Sequence, residues 1–484
     1  FAPMACFATT ATMIALARRR LSRVPGMPAS TLRLTWSVGG FLLLCLALAW
    51  FAPPVFWVLL VVVALAGAAG LALWFPVAAT VIWLLFLAST PEMWLGDLIG
   101  HMETIIALDK LAGLGLAGLC ILRYGARFDA FNPGLAFPAL FIAGAAHGLY
   151  PGLTLAASLR SLVGSAAPFA FSFSRLSRRW AAAVIRVACW APLAVVLFGA
   201  GLTMLGLRPL FVVQEGAVRL FASSLPAFLG GFALIGIYAG TVELFRGGRV
   251  ADMALLIVNA AILLLTGARA PLLAAALLTG AALLAVPSAR FGLRRRLPLI
   301  LAGGLVLPLA LAAARALSFL RVIDLAELGQ GASLSNRALI WPVFQAAANR
   351  SPWLGWGVGA GKVVVRLDSP LARLLGTNAA HNEYLRLAVE GGYPGLILVI
   401  LLMGLWAWHH TKAMAMPDRA LMRLVFLAFA AHSFTDNTMI ATTGSLMFAW
   451  VSAVFARAAA ERQAAGHQAA DPIITAALSA QDCP

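Results

Sequence analysis

The chain has 484 residues, of which 62% are hydrophobic and 11% are charged. Soluble domains are roughly half apolar and a quarter charged, so this composition excludes both a soluble multi-domain protein and a disordered chain. The 35 basic and 18 acidic residues give a net charge of +17. The basic residues lie in short clusters between apolar runs, which is typical of the cytoplasmic loops of membrane proteins and disfavours nucleic-acid binding. The composition predicts a polytopic membrane protein.

In chain order, the apolar runs predict an all-α fold, a transmembrane helical bundle of about twelve spans, up to about fourteen if the shorter runs also cross. The basic stretch 1–34 is not followed by a small-residue cleavage site, so we expect a cytoplasmic N-terminus rather than a removed signal peptide. Residues 35–314 and 393–457 hold the transmembrane helices. Between them, 315–392 is predicted to be a long periplasmic loop with short helices, and 458–484 a cytoplasmic tail. The spans are expected near 36–53, 55–73, 75–90, 109–124, 134–150, 153–172, 181–204, 225–245, 250–268, 270–287, 297–314, 393–410, 420–436 and 439–457.

Arginine and lysine predict the orientation, because cytoplasmic loops are enriched in both. Basic clusters occur at alternate turns, for example around Arg127, Arg178, Arg246 and Arg457. Placing all of them in the cytoplasm is consistent with a single threading of the chain. That threading sends the other turns to the outer, periplasmic face, and these are 91–108, 205–224, 268–270, 315–392 and 436–438.

The longest outer segment, 315–392, is where we expect function, because loops of this length are usually functional. It leads into the sequence HNEYLRLAVEGGYPG at 381–395. The ten residues from His381 contain neither glycine nor proline and predict one short helix, which the following Gly-Gly pair ends. Histidine suits proton abstraction near neutral pH, although a lone histidine is more often a cap or a loop-ordering residue.

Three arginines are expected on the same outer face. Arg219 lies in the loop 205–224, Arg269 at the turn TGARAP between two spans, and Arg337 in the long loop. Guanidinium groups bind phosphate in a bidentate manner, so their convergence would suit a lipid-linked diphosphate, whereas snorkelling anchors favour the cytoplasmic side. The outer acids form no close ligand pair, and the sequence has neither a GxxxxGK[ST] loop nor a CxxC pair. We therefore expect no metal and no cofactor.

At the histidine the sequence resembles the bacterial O-antigen ligases, within the O-antigen ligase and polymerase superfamily. His381-Asn382, nine further residues, and then Gly392-Tyr-Pro-Gly395 are similar to the histidine motif of that family. The motif with its glycines is fairly specific. The resemblance covers roughly residues 205–457.

Further residues are similar to family positions in the same order along the chain. Arg337, followed by the stretch PWLGWGVGAG, resembles the segment upstream of the histidine. Arg269 in TGARAPLL resembles an arginine after a mid-chain span, and Arg219 is carried over as a third arginine. His432 and Asp436 resemble the polar end of a later span.

The resemblance implies an inverting, metal-independent glycosyltransferase of the bacterial inner membrane with its active site facing the periplasm. Such an enzyme would move O-polysaccharide from undecaprenyl diphosphate onto a sugar of lipid A–core oligosaccharide, in lipopolysaccharide biosynthesis. His381 is then the expected general base for the acceptor hydroxyl. Arg219, Arg269 and Arg337 are expected to bind the departing diphosphate. The sugar–diphosphate bond already carries the required free energy, so no nucleotide is needed.

Four polar side chains are expected to support these catalytic residues: Asn382, Tyr384, His432 and Asp436. Tyr384 fits an interfacial anchor equally well, and His432 fits a hydrogen-bonded intramembrane histidine. Arg386 and Glu390 are four residues apart on the predicted helix and are expected to form a local ion pair.

Two other functions of the same superfamily fit these residues, O-antigen polymerase and protein O-oligosaccharyltransferase. A polymerase would be expected to carry its arginines in two long outer loops, and here only one outer loop is long. An oligosaccharyltransferase often has a domain after its last span, whereas residues 458–484 are few and rich in alanine. A transporter or flippase is the alternative of a different class. Transporters tend to place polar residues at the membrane midplane, whereas this sequence places them at one face.

Overall fold

A computed structural model of the chain describes residues 63, 66–99, 102–214, 217–301, 303–305 and 337–481. The chain divides into two units, Phe1–Leu71 and Ala72–Pro484. In the first unit, residues 66–71 are helical. The predicted N-terminal stretch, the span near 36–53 and the first part of the long outer segment lie outside the described residues.

The second unit is mostly helical, as the composition predicts. Among its described residues, the five helices α3, α6, α7, α12 and α14 are long and apolar enough to cross a membrane. Shorter apolar helices include α1, α8 and α9, and all of these helices overlap predicted spans. In chain order the helices are α1 Pro76–Ala88, α2 Pro91–Ile99, α3 Met102–Tyr124, α4 Ala136–His147, α5 Leu155–Ala166, α6 Arg178–Met204, α7 Pro226–Gly247, α8 Val250–Thr266, α9 Arg269–Ala285, α10 Arg337–Arg350, α11 Pro370–Leu375, α12 Glu383–Thr411, α13 Asp418–Ser433 and α14 Thr442–Gln481.

The predicted outer loop 205–224 contains a short antiparallel hairpin, which the all-α prediction did not include. Strand β1 is Phe211–Gln214 and strand β2 is Ala217–Leu220, with Val212 opposite Arg219. Two short runs with strand-forming valine on either side of a Glu-Gly pair fit a hairpin, whereas apolar length alone indicates only membrane spans.

The predicted outer segment 91–108 is not an irregular loop, because it forms α2 and the first turns of α3. Glu92 on α2 is buried and accepts a hydrogen bond of 2.7 Å from the hydroxyl of Thr442 on α14. The hydrogen-bond partner of Glu92 is 350 residues away in the sequence, so the sequence alone does not distinguish Glu92 from a solvent-exposed loop residue.

The basic turns around Arg246 and Arg423 lie at the opposite end of the helices from the predicted site. The 29 residues of α12 would span roughly 40 Å if helical throughout. At its C-terminal end, Arg423 donates to the hydroxyl of Thr411 (3.2 Å). At the same end, Arg246 forms an ion pair with Asp418 at the start of α13. The N-terminal end of α12 follows His381. The alternation of basic and polar turns along the chain therefore separates the two groups in space.

Helix α12 is interrupted at Gly392, which confirms the predicted end of its first segment. Gly392 has φ 64° and ψ −177°, a backbone region that essentially only glycine occupies. The preceding loop, rich in tryptophan and glycine, is hydrogen-bonded to this interruption. The Tyr393 N–H donates to the carbonyl of Pro352 (2.8 Å), and the Trp356 N–H donates to the carbonyl of Val389 (2.9 Å). The glycines of both motifs thus allow two backbone segments to pack together.

We expect Gly392→Ala to loosen this junction and to destabilise the protein. A Cβ atom at this position would lie 2.6 Å from the carbonyl oxygen of Pro352, and alanine would be strained in this backbone region. The free energy of unfolding should fall by about 1–3 kcal/mol, measured as a lower thermal midpoint in detergent. Gly115→Ala on α3 is the matched control, because a Cβ there meets no neighbouring atom within 4 Å. Equal losses in the two variants would contradict the role of the kink.

Candidate active site

His381 lies immediately before the N-cap of α12. The side chain of Asn382 accepts hydrogen bonds from the backbone N–H groups of Tyr384 (3.0 Å) and Leu385 (3.1 Å), so Asn382 caps the helix. The helix begins at Glu383, two residues later than predicted. His381 itself has φ 46°, an uncommon conformation for a residue other than glycine. Such residues cluster at functional sites, where the surrounding structure holds them.

The imidazole of His381 lies between a carboxylate and a hydroxyl group. Its Nδ1 is 3.4 Å from Oδ1 of Asp436, and its Nε2 is 3.1 Å from Oγ1 of Thr377. When Nδ1 carries the proton and donates to the carboxylate, Nε2 presents a lone pair that accepts the Thr377 hydroxyl. The His381 side chain is 34% exposed, so an external hydroxyl group can approach it. This is the geometry of an oriented general base.

The Asp436 carboxylate is the group that orients the imidazole. Burial acts to raise the pKa of Asp436, but the hydrogen bond from His381 and the charges of His432 and His381 outweigh it and lower the pKa to about 2. The same carboxylate accepts the N–H of Asn437 (2.8 Å), and its Oδ2 is 3.8 Å from Nε2 of His432. Asp436 is therefore negative at neutral pH and stabilises an imidazolium next to it.

The turn that carries Asp436 is held from two other helices. Lys110 of α3 donates to the carbonyl of Ile440 (2.7 Å), and Thr442 donates to Glu92 of α2 (2.7 Å). Both charged residues are buried, and neither was among the predicted site residues. A lysine within a predicted span is the signal that could have indicated Lys110, because charged groups in such segments usually have a specific partner.

A buried ion triad fills the first turns of α12, directly behind His381. Arg386 pairs with Glu383 and with Glu390, and each of the three residues is at most 2% exposed. The Arg386–Glu390 pair was predicted from the spacing, whereas the pairing of Arg386 with Glu383 was not. Because a charge buried without its partner is strongly unfavourable, the triad stabilises the segment that follows the histidine in one arrangement.

Two of the three predicted arginines lie close together. Arg219 on β2 is 7% exposed and donates to the carbonyl of Thr266 (2.7 Å) and to the side chain of Gln214 (3.1 Å). Thr266 ends α8, and Arg269 begins α9 three residues later. Burial, and then the positive charge of Arg269, lower the pKa of Arg219. Two guanidinium groups near enough to repel each other create a favourable place for an anion.

The arginine pair and the histidine pair lie at the same end of the bundle, on two sides of the first turns of α7. A Cβ at Gly230 would lie 2.6 Å from Ala268, next to the second arginine, and a Cβ at Gly231 would lie 2.9 Å from Thr443. Gly231 also shares a small cavity with His432 and Thr443. Close packing at these two glycines brings the turn with the arginines and the turn with Asp436 against the same helix.

Helix α10 and Tyr384 border the site. Arg337 is the first residue of α10, and its side chain lies outside the described part of the structure. One turn later, the indole N–H of Trp341 donates to the carbonyl of Ala380 (2.8 Å), so α10 starts beside the loop that carries the candidate base. The Tyr384 hydroxyl donates to the carbonyl of Ala430 (2.8 Å) and ties α12 to α13.

Comparison with known proteins bears on this arrangement. Residues 254–400 match the family model described as O-antigen ligase. The matched region contains Arg269, Arg337 and His381 and ends within α12, whereas Asp436 lies beyond it. No curated protein matches the chain. Residues 254–400 are therefore similar to the O-antigen ligase family, as the histidine and arginine motifs predict, and that family broadly implies an enzyme that transfers glycosyl groups.

Proposed function

We propose that the chain is an O-antigen ligase, which transfers O-polysaccharide from undecaprenyl diphosphate onto lipid A–core oligosaccharide in lipopolysaccharide biosynthesis. The observation that carries this proposal is a His381–Asp436 pair and an Arg219–Arg269 pair at one end of a bundle of apolar helices. Transfer between two membrane-anchored molecules needs a base for the acceptor and positive charge for the leaving group, both near a membrane surface.

In the proposed reaction, His381 activates the acceptor. Its Nε2 takes the proton of an acceptor hydroxyl as the hydroxyl oxygen attacks the anomeric carbon of the donor sugar. The Thr377 hydroxyl, 3.1 Å from Nε2, indicates where the acceptor hydroxyl would lie. Asp436 holds the ring through Nδ1 and stabilises the imidazolium that forms. Attack from the side opposite the leaving group inverts the anomeric configuration.

The arginine pair acts on the leaving group. As the bond between the anomeric carbon and the diphosphate oxygen breaks, negative charge grows on the diphosphate. Arg219 and Arg269 would stabilise it, and Arg337 at the start of α10 is proposed as the third ligand. Within the described ranges, no three His, Cys, Asp or Glu side chains are grouped as metal ligands. We propose that the guanidinium groups supply the positive charge, and undiminished turnover in EDTA would support this.

The test of the proposed function is turnover by the purified chain in nanodiscs with a lipid-linked O-polysaccharide donor. Lipid A–core, a second lipid-linked glycan and a peptide are offered as acceptors, and His381→Ala protein is the blank. Transfer to lipid A–core supports the proposal. Transfer only to the second lipid-linked glycan would instead indicate a polymerase, and transfer only to peptide an oligosaccharyltransferase.

We expect the His381 end of the bundle to face the periplasm of the bacterial inner membrane, because the opposite end holds the basic turns. Asp368 lies in the outer segment with its side chain 69% exposed, and Arg294 lies in a basic turn after α9. An impermeant thiol reagent applied to spheroplasts should label Asp368→Cys and spare Arg294→Cys. The chain without either substitution, which has five native cysteines, gives the background labelling. The reverse labelling pattern would place the site in the cytoplasm.

Arg269→Ala and Arg219→Ala should each weaken donor binding and slow turnover, because the diphosphate is bound both before and during its departure. A hydrogen bond to a charged group contributes about 1.5–3 kcal/mol, which corresponds to roughly 10- to 100-fold in Kd. Lysine at either position should rescue only partly, since it keeps the charge but loses the planar fork. Arg160→Ala on α5 is the matched control, because Arg160 is an exposed arginine that is not proposed to bind the diphosphate. Normal donor binding in both alanine variants would refute the diphosphate site.

A further inference from the structure

One face of helix α10 carries a row of side chains that leads away from His381. Trp341, Gln345 and Asn349 are spaced by four residues and therefore lie on the same side of the helix. The row begins where the Trp341 indole meets the carbonyl of Ala380, the residue before the candidate base. From Trp341 to Asn349 it extends roughly 12 Å. It leaves the site on the side of α10, whereas the arginine pair lies beyond α7.

The middle of this row is a triangle of hydrogen bonds with the phenol of Tyr393, at the kink of α12. The Gln345 amide nitrogen donates to the Tyr393 hydroxyl (2.7 Å) and to Oδ1 of Asn349 (3.1 Å), and the Tyr393 hydroxyl donates to the same Oδ1 (2.7 Å). All three contacts are exposed. The triangle fixes the orientation of both amides but does not involve the Gln345 carbonyl oxygen or the Asn349 amide nitrogen, so an acceptor and a pair of donors remain for an external ligand.

Aromatic rings flank the triangle at both ends. Phe434 is 53% exposed, and its ring centre is 5.6 Å from that of Trp341. Trp353 is 76% exposed and follows Pro352, whose carbonyl accepts the N–H of Tyr393. Exposed aromatic rings also serve as anchors at the membrane interface. An anchor, however, does not require the oriented amide groups of Gln345 and Asn349 between the rings. A sugar offers an apolar C–H face to a ring and hydroxyl groups to an amide, and both kinds of partner alternate here.

We propose that this surface, formed by Trp341, Gln345, Asn349, Tyr393 and Trp353, binds the oligosaccharide of the acceptor next to the hydroxyl group that His381 deprotonates. This inference rests on the proposed function and names a subsite of it. The acceptor is assigned here because the surface begins beside the base, which must face the acceptor, and lies apart from the arginines, which would hold the donor diphosphate.

The test measures binding of core oligosaccharide, released by mild acid from lipopolysaccharide of the source strain, to the full chain in detergent. Asn349→Ala and Tyr393→Phe should each weaken this binding roughly three- to tenfold, since each removes one neutral hydrogen-bonding group. Arg366→Ala is the matched control, since Arg366 is an exposed residue of the same segment and forms an ion pair with Asp368 on the surface. Unfolding midpoints are recorded for every variant.

Weaker binding by the Asn349 and Tyr393 variants, at unchanged unfolding midpoints, would support the subsite. Wild-type binding by both variants would overturn it, and so would a loss confined to O-polysaccharide released from the donor. Glycan transfer by the wild-type chain is measured in a separate assay, so that failure of the subsite can be distinguished from failure of the proposed function. Transfer to lipid A–core without any measurable binding of core oligosaccharide would overturn the subsite and leave the proposed function standing. Absence of transfer would overturn the proposed function itself.

Discussion

His381→Ala is expected to abolish glycan transfer while leaving the protein able to bind its lipid-linked donor. Removing a general base lowers the rate roughly 10²–10⁴-fold, and the arginine pair that would hold the donor diphosphate is untouched by the change. The measurement is turnover and donor binding for wild type and variant in one nanodisc preparation. Near-normal turnover by His381→Ala with lipid A–core would show that another group acts as the base.

His381 has a left-handed backbone conformation, with φ 46°. Asparagine adopts this conformation more readily than alanine does, so a second variant is needed to separate loss of the imidazole from backbone strain. His381→Asn keeps the backbone preference and removes the imidazole, so both variants should lose activity and His381→Asn should keep more stability. Asp436→Asn should retain donor binding and lose part of the turnover, since the ring would lose its orienting carboxylate. Arg160→Ala is the control, which should retain both turnover and donor binding. If His381→Asn retained turnover and His381→Ala did not, the loss in His381→Ala would come from misfolding and not from the missing imidazole.

Arg386→Ala is expected to cause the largest loss of stability of any variant considered. The change leaves Glu383 and Glu390 buried without their counter-charge, and breaking a buried ion pair in this way destabilises proteins by about 3–5 kcal/mol. Since the triad follows His381 directly, transfer should be lost together with folding. The measurement is the unfolding midpoint in detergent, with the fraction of folded protein recorded at the assay temperature.

Two comparisons make this result specific to charge burial. Arg366→Ala removes an arginine that is 79% exposed in its ion pair with Asp368, and the unfolding midpoint should stay where it is. Replacing the whole triad with apolar side chains, as in Glu383→Leu, Arg386→Met and Glu390→Leu combined, should restore much of the lost stability, because no unpaired charge then remains. A combined variant as unstable as Arg386→Ala would contradict this account and attribute the loss to packing.

Local patterns in the sequence predicted the features that depend on near neighbours. The Gly-Gly pair in the histidine motif predicted the interruption of α12, which Gly392 makes with a backbone conformation that other residues avoid. The spacing of Arg386 and Glu390 predicted their ion pair. The hairpin at 211–220 was not predicted, because apolar length indicates membrane spans and does not distinguish a short strand pair. Thr377 lies in an irregular loop, and no pattern in the sequence marks it.

By itself the sequence determined that the chain is a membrane protein of mostly helical structure, and it identified the histidine and the arginines that the family match contains. These properties depend on composition and on short motifs, and both can be recognised without knowing how the helices pack. Only the tertiary structure decided which side chains meet. His381 faces Asp436 from 55 residues away, and Lys110 reaches the carbonyl of Ile440 across 330 residues. Such pairs arise because packed helices bring their ends together. The spacing of residues within one helix does not determine which other helices pack against it.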